Sequence, residues 1–141
     1  MKMLGVDYGD VRMGFAVCDK FEMMASGLET VRVTGLRDAA AKIAEKAASE
    51  NAERIVIGLP KRTDGSEGDR AEKTRVMIGF LSELTDIDID TIDERFSTVQ
   101  AHNMLSEAGV RSSKRKKVID TLSAELILQS YIDRRKNMKN D

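Results

Sequence analysis

Hydrophobic and polar positions alternate at the start of the chain, where Met3-Leu4-Gly5-Val6 reads as a strand buried in a sheet and ends on a carboxylate, Asp7. Tyr8-Gly9-Asp10 makes a turn, and a second apolar run, Met13 to Cys18, completes a hairpin. Met23, Met24, Leu28, Val31 and Val33 predict a third strand within Glu22 to Val33, broken by Gly35. From Leu36 to Glu50 the spacing of Leu36, Ala39, Ala40, Ile43 and Ala47 is helical. Arg54 to Gly58 is a short continuous apolar run, the pattern of a strand covered on both faces, and Leu59-Pro60 closes it.

A polar loop, Lys61 to Asp69, leads to a second helix marked by Val76, Phe80, Leu81 and Leu84. Ile87 to Asp93 is a fifth strand, with Ile87 and Ile89 on one face and Ile92 on the other, and Glu94-Arg95 at its end. Ser97, with Gln100 three residues on, opens a third helix as a capping box, and Gly109 stops it. Arg111 to Lys117 is a basic loop or the start of a helix, Val118 to about Arg135 is the last helix, and Lys136 to Asp141 is a polar tail expected to fray. Three strands followed by strand–helix alternation give an α/β fold, a mixed sheet flanked by helices.

Composition narrows this picture. The 141 residues suit one domain, 1–141, with one core, and 41% hydrophobic against 33% charged residues is a globular balance rather than a disordered one. A net charge of −1 excludes a uniformly basic coat, so any hold on nucleic acid uses local patches. Cys18 stands alone, reads as a small buried apolar residue, and fits a reducing cytoplasm; no export signal or membrane-length apolar run is expected.

Three acids stand out. Asp7 ends strand one; taken alone, in an Asp-Tyr-Gly turn, it reads first as a turn former, and the two acids downstream shift that reading. Glu94 ends strand five. Asp120 shares the helical stripe of Ala124, Ile127, Leu128 and Tyr131, so it points inward, although an acid favoured by the dipole of a helix's first turn accounts for it equally well. Strand ends and a helix start can meet at one edge of an α/β sheet, where such sheets place ligands. Three carboxylates there repel one another, and a divalent cation relieves the repulsion. Mg²⁺ or Mn²⁺ suits a sparse set of oxygen donors, and a pair of such ions serves phosphodiester hydrolysis. A zinc site is disfavoured, since His102 is the only histidine and falls off its helix's apolar stripe as a surface residue.

The run LGVDYGDVRMGFAVCD, the segment IVIGLPKRTDGSEG, DERFST at Asp93 to Thr98, and KKVIDTLSAELILQSYID together resemble the YqgF family, the Holliday-junction-resolvase-like (RuvX-type) proteins of bacteria. The resemblance covers nearly the whole chain. It implies a ribonuclease-H-like fold: a mixed five-stranded sheet whose first three strands are antiparallel, with helices on both faces. It implies a metal-dependent nuclease that matures the precursor of small-subunit ribosomal RNA, with the family's acidic positions on Asp7, Glu94 and Asp120. In true junction resolvases the fold carries an acid on strand four. Here Ile55 to Gly58 has none, and strand five supplies it, which weighs against cleavage of branched DNA more than against phosphodiester hydrolysis.

Phosphate contacts are expected from Arg111, Lys114, Arg115, Lys116 and Lys117, because cations crowded before a helix oppose its dipole and call for another partner. A solvated surface loop is the plainer account of such a run. Lys61 and Arg62 in the glycine-containing loop, and Arg12 and Arg95 beside the acids, join them as candidates. Aromatic residues are 4% of the chain, so base stacking is minor. The leading function is a nuclease on structured RNA, working as a monomer or weak homodimer. The alternatives are a branched-DNA resolvase, a non-catalytic nucleic-acid-binding module in transcription or ribosome assembly, and an actin-like nucleotide site, for which the chain is too short alone.

Overall fold

The computed structural model describes residues 1–60, 68–94 and 112–139, with residues 94, 112–120 and 138–139 described at the backbone only. Five strands, β1 (Met3–Asp7), β2 (Arg12–Cys18), β3 (Ala25–Arg32), β4 (Arg54–Pro60) and β5 (Asp88–Glu94), form one sheet in the order β3-β2-β1-β4-β5. β1 pairs antiparallel with β2 and parallel with β4; β2–β3 is antiparallel and β4–β5 parallel. Among the described residues the helices are α1 (Leu36–Ser49), α2 (Asp69–Leu84) and α3 (Ser112–Lys139).

Strand alternation splits the core in two. Leu4, Val6, Phe15, Ile55 and Ile57 pack with Ala39, Ala40, Ile43 and Ala47 of α1 and Met77 and Leu81 of α2. Met3, Ala16, Cys18 and Val56 pack on the opposite face with Ala124, Ile127, Leu128, Tyr131 and Ile132 of α3. β4 is therefore covered on both faces, and Cys18 is buried. β5 divides as its pattern predicts, with Ile87 and Ile89 against the first cluster and Ile92 against the second.

Four expectations are corrected. Met23 and Met24 do not belong to β3 and are exposed. The Asp19 side chain accepts the Phe21 and Met23 amides, and Glu22 sits at φ 55, so a turn occupies that stretch. α2 buries Ala71, Thr74, Met77 and Leu81; Val76 and Leu84 are exposed, because the small residues of its first turns set the packed face. β4 runs through Leu59 to Pro60, which opposes Glu94. α3 begins at Ser112, the helix-start alternative for the basic stretch, and runs to Lys139 rather than from Val118 to about Arg135, so Asp120 stands more than two turns inside the helix. The helix from Ser97 to Gly109, His102, and residues 61–67 of the polar loop lie outside the described residues.

α3 is seated unusually close to the sheet. A Cβ on Gly5 would lie 2.8 Å from Leu128 Cβ and 3.1 Å from the Ala124 carbonyl oxygen, and a Cβ on Gly27 would strike Thr121 Cγ2. Polar bonds then fix the helix along its length. The Thr121 and Thr30 hydroxyls share a hydrogen bond of 2.8 Å, and Gln129 accepts the Ala25 amide at 2.9 Å. Tyr131 donates to Asp90 at 2.6 Å and accepts from Arg54 at 3.0 Å, while Arg54 also donates to Asp88. Burial and the bond to Asp90 push the Tyr131 hydroxyl above its usual pKa. Arg135 Nε donates to the buried Glu22 at 2.7 Å, and the Met1 amine lies 3.0 Å from the same carboxylate. These partners hold Glu22 down to about 2 from its usual 4.5, the Arg135 bond first.

Two predictions follow from this seating. Gly27→Ala is expected to destabilise the protein by roughly 1–3 kcal/mol in urea unfolding, and Thr121→Ser, which removes the methyl the new Cβ would meet, to restore part of that loss. Because Glu22 is held ionised in the fold, its contribution is present above pH 4.5 and disappears as pH falls from there toward 2. Glu22→Gln should cost roughly 1–3 kcal/mol at pH 7 and flatten the acid limb of stability measured by circular dichroism.

Candidate active site

β1, β4 and β5 run parallel, so their C-terminal ends open on one rim of the sheet, the side where α/β folds place ligands. Asp7 is the last residue of β1 and is half-buried. Val6 is level with Ile57, and Ile57 with Thr91, which sets Glu94 about two residues further out than Asp7. With β4 between them, the two strand ends lie about 10 Å apart laterally. Alternation gives position 7 the parity of Met3, and position 94 that of Asp90 and Ile92, the positions of these strands that belong to the α3 side.

α3 runs antiparallel to β1. Tyr131 bonds Arg54, which is level with Met3, and Ala124 and Leu128 lie against Gly5. Thr121 bonds Thr30, which is level with Gly14 and, through Gly14, with Asp7. Asp120 directly precedes Thr121, so the α3 backbone at Asp120 arrives at the same rim. The register thus brings the backbones of three sequence-distant acids to one end of one face. It also replaces the first-turn explanation of Asp120, because the helix starts eight residues earlier, at Ser112.

The donors available are all carboxylate oxygens, a set suited to a hard divalent cation such as Mg²⁺ or Mn²⁺. Cys18, at the opposite end of β2, is too remote to contribute a softer ligand. Among the described residues no group of three or more His, Cys, Asp or Glu side chains is arranged to hold a metal; of the three acids, only Asp7 is described beyond its backbone. β4 carries no acid along its length.

Of the expected cations, Arg12 begins β2 immediately across the turn from Asp7 and is half-buried. Lys114, Arg115, Lys116 and Lys117 are helical, and the first turn of α3 has no acid to offset them. Their stretch therefore opposes the helix dipole, as the sequence pattern anticipates. Lys61, Arg62, Arg95 and Arg111 lie outside the described residues. Two cations that the pattern did not single out, Arg70 and Lys73, reach the rim from α2; their i, i+3 spacing just after Gly68 was the available signal. Tyr8, buried next to Asp7, has its hydroxyl pKa raised by burial and then by the charge of Asp10. None of the described helices is long and apolar enough to cross a membrane.

Comparison with known proteins agrees with this architecture. A family model described as "RuvX: Holliday junction resolvase" matches residues 1–134. A protein of Ruminiclostridium cellulolyticum named "Putative pre-16S rRNA nuclease" is 41% identical over 135 residues, covering 95% of either chain. One of the same name from Halothermothrix orenii is 43% identical over 133 residues, covering 94% of this chain and 95% of its own. Among solved structures, Thermus thermophilus RuvC in complex with a Holliday junction matches with a TM-score of 0.56 at 15% identity, covering 96% of each chain. The Fowlpox virus resolvase complexed with Holliday-junction DNA matches with a TM-score of 0.60 at 12% identity, covering 96% and 99%. At such identity these two share the fold alone, a ribonuclease-H-like one. Matched by the family model over nearly its whole length and by relatives above 40% identity, the chain belongs to the RuvX family.

Proposed function

We propose that this protein is a Mg²⁺- or Mn²⁺-dependent nuclease that hydrolyses phosphodiester bonds in the 5′-end processing of the precursor of small-subunit ribosomal RNA. The names of its relatives support the reaction and the substrate class. The observation that supports the chemistry is the register, in which the backbone at positions 7, 94 and 120 comes to one end of the sheet. In this reading the three acids hold two cations. When bound, such ions supply positive charge to the phosphate and a water of lowered pKa. The chain's own part is to keep the carboxylates aligned, through the seating of α3, and to hold the substrate strand through the cations around the rim. Arg12 and Lys114 to Lys117 flank the acids, with Lys61, Arg62, Arg95 and Arg111 assigned to the same task.

A second substrate, branched DNA, is favoured by the description of the family model. An acid-free β4 weighs against it, since the carboxylate set then differs from the one that the resemblance assigns to true junction resolvases.

Asp7→Asn is expected to lower cleavage of a precursor 16S RNA by roughly 100-fold or more, as loss of a ligand worth several kcal/mol of transition-state stabilisation would. Its melting temperature should stay near wild type. Cleavage at the wild-type rate by the purified variant would remove Asp7 from the mechanism. The same assay on a four-way DNA junction assigns the substrate: faster cleavage of RNA supports rRNA processing, and faster cleavage of the junction supports the second reading.

A further inference from the structure

A small notch opens beside the rim on the α2 side of the sheet. It is lined by Tyr8, Gly9 and Asp10 of the β1–β2 turn and by Arg70, Lys73 and Thr74 of α2. It is an open notch whose deepest part, about 10 Å³, has room for one water-sized group. The polar character of the lining is set by α2. Arg70, Lys73 and Thr74 share one helical face by i, i+3 and i+4 spacing, whereas the neighbouring acids Asp69 and Glu72 do not line the notch.

The charges there are only partly compensated. Lys73 Nζ lies 3.8 Å from Asp10 Oδ1, with both side chains more than half exposed, an arrangement that contributes little to stability. Arg70 forms no ion pair among the described residues. The Thr74 hydroxyl is already committed to the Arg70 carbonyl oxygen at 2.8 Å, so it neither competes for nor supplies a ligand. Among the described residues two cations and one acid line the notch, a local excess of positive charge in a chain whose overall net charge is −1. Tyr8 and Gly9 continue directly from Asp7, so anything seated in the notch lies next to the proposed catalytic rim.

We propose that the notch between the β1–β2 turn and α2 takes a non-bridging phosphate oxygen of the substrate strand, at a phosphodiester adjacent to the one cleaved, with Arg70 and Lys73 as its ligands. The inference rests on the nuclease reading above and extends it to a subsite on the face of the sheet opposite α3. The small volume matches one oxygen entering while the rest of the phosphate stays at the surface. Asp10 is a weak competitor for Lys73, which a phosphate oxygen would displace at little cost. A contact of this kind positions the strand and reads no sequence.

Binding of a fluorescently labelled precursor 16S RNA, and of a DNA of the same sequence, is to be measured by anisotropy in EDTA over a range of salt. The R70Q/K73Q double variant should raise Kd about tenfold for both polymers and lower the slope of log K against log salt by about one to two. Asp10→Asn should tighten binding about two- to threefold, by removing the competing carboxylate. Lys20→Gln, beyond the opposite end of β2, should leave both quantities unchanged. Wild-type affinity and slope in the double variant would overturn the notch while leaving the nuclease reading standing. An effect confined to RNA would overturn the phosphate assignment in favour of a sugar hydroxyl contact. If the wild-type protein bound neither polymer in EDTA nor with Ca²⁺ in its place, both the notch and the nuclease reading would be overturned.

Discussion

The architecture depends on how closely α3 rests on the sheet. At Gly5 and Gly27 the strands present bare backbone to the helix, so Leu128 Cβ, the Ala124 carbonyl and the Thr121 methyl come closer than any side chain on the sheet would allow. Everything at the rim inherits this constraint. The Thr30–Thr121 hydroxyl pair sets the height of the helix at the end where Asp120 lies, and the Tyr131–Asp90–Arg54 bonds set it at the other. A helix fixed at two heights on a sheet of defined register cannot slide by a turn without breaking buried hydrogen bonds, and unpaired buried groups are costly. The alignment of strand ends and helix is therefore a property of packing on the α3 face and needs no contribution from the rim itself.

Much of this was legible in the sequence. All five strands were, because alternation and continuous apolar runs report burial directly, and so was the stripe of α3 from Ala124 to Tyr131. The acids were candidates by position: Asp7 closes an apolar strand, Glu94 closes the fifth strand, and Asp120 continues the apolar stripe of the last helix. What failed did so for identifiable reasons. Met23 and Met24 read as strand residues because hydropathy does not register that Asp19 caps a turn through two backbone amides. Val76 and Leu84 were assigned inward because they are large, whereas α2 packs through Ala71 and Thr74, whose small size brings the helix close. The start of α3 was set too late because Lys114 to Lys117 oppose the helix dipole, and local preference there is overridden by the long packed stripe that follows. Arg70 and Lys73 were passed over because a helix alternating acids and bases looks like an ordinary solvated face until its packing shows which residues line the turn beside it.

The charge balance acquires a spatial meaning once the fold is known. In an almost neutral chain, Asp7 and Glu94 close parallel strands, Arg12 opens β2 across the turn from Asp7, Arg70 and Lys73 stand on α2, and a lysine-rich stretch makes the early turns of α3. On the proposed nuclease reading, a polyanion would meet these cations before it met the carboxylates. Weak exposed ion pairs such as Lys73–Asp10 suit such a border, since they can be exchanged for phosphate at little cost.

The position of β1 in the sheet also governs the order in which the molecule can assemble. Its antiparallel neighbour β2 follows after a short turn, but its parallel neighbour β4 begins only at Arg54, and the helix that covers it contacts Gly5 through Ala124 and Leu128. A growing chain can thus form the β1–β2–β3 meander early, whereas the opposite side of β1 stays open until distant segments emerge. Long-range pairings of this kind slow folding. Asp7 lies upstream of the strand and the helix that complete its surroundings, so a partly synthesised chain holds this carboxylate on an unfinished surface.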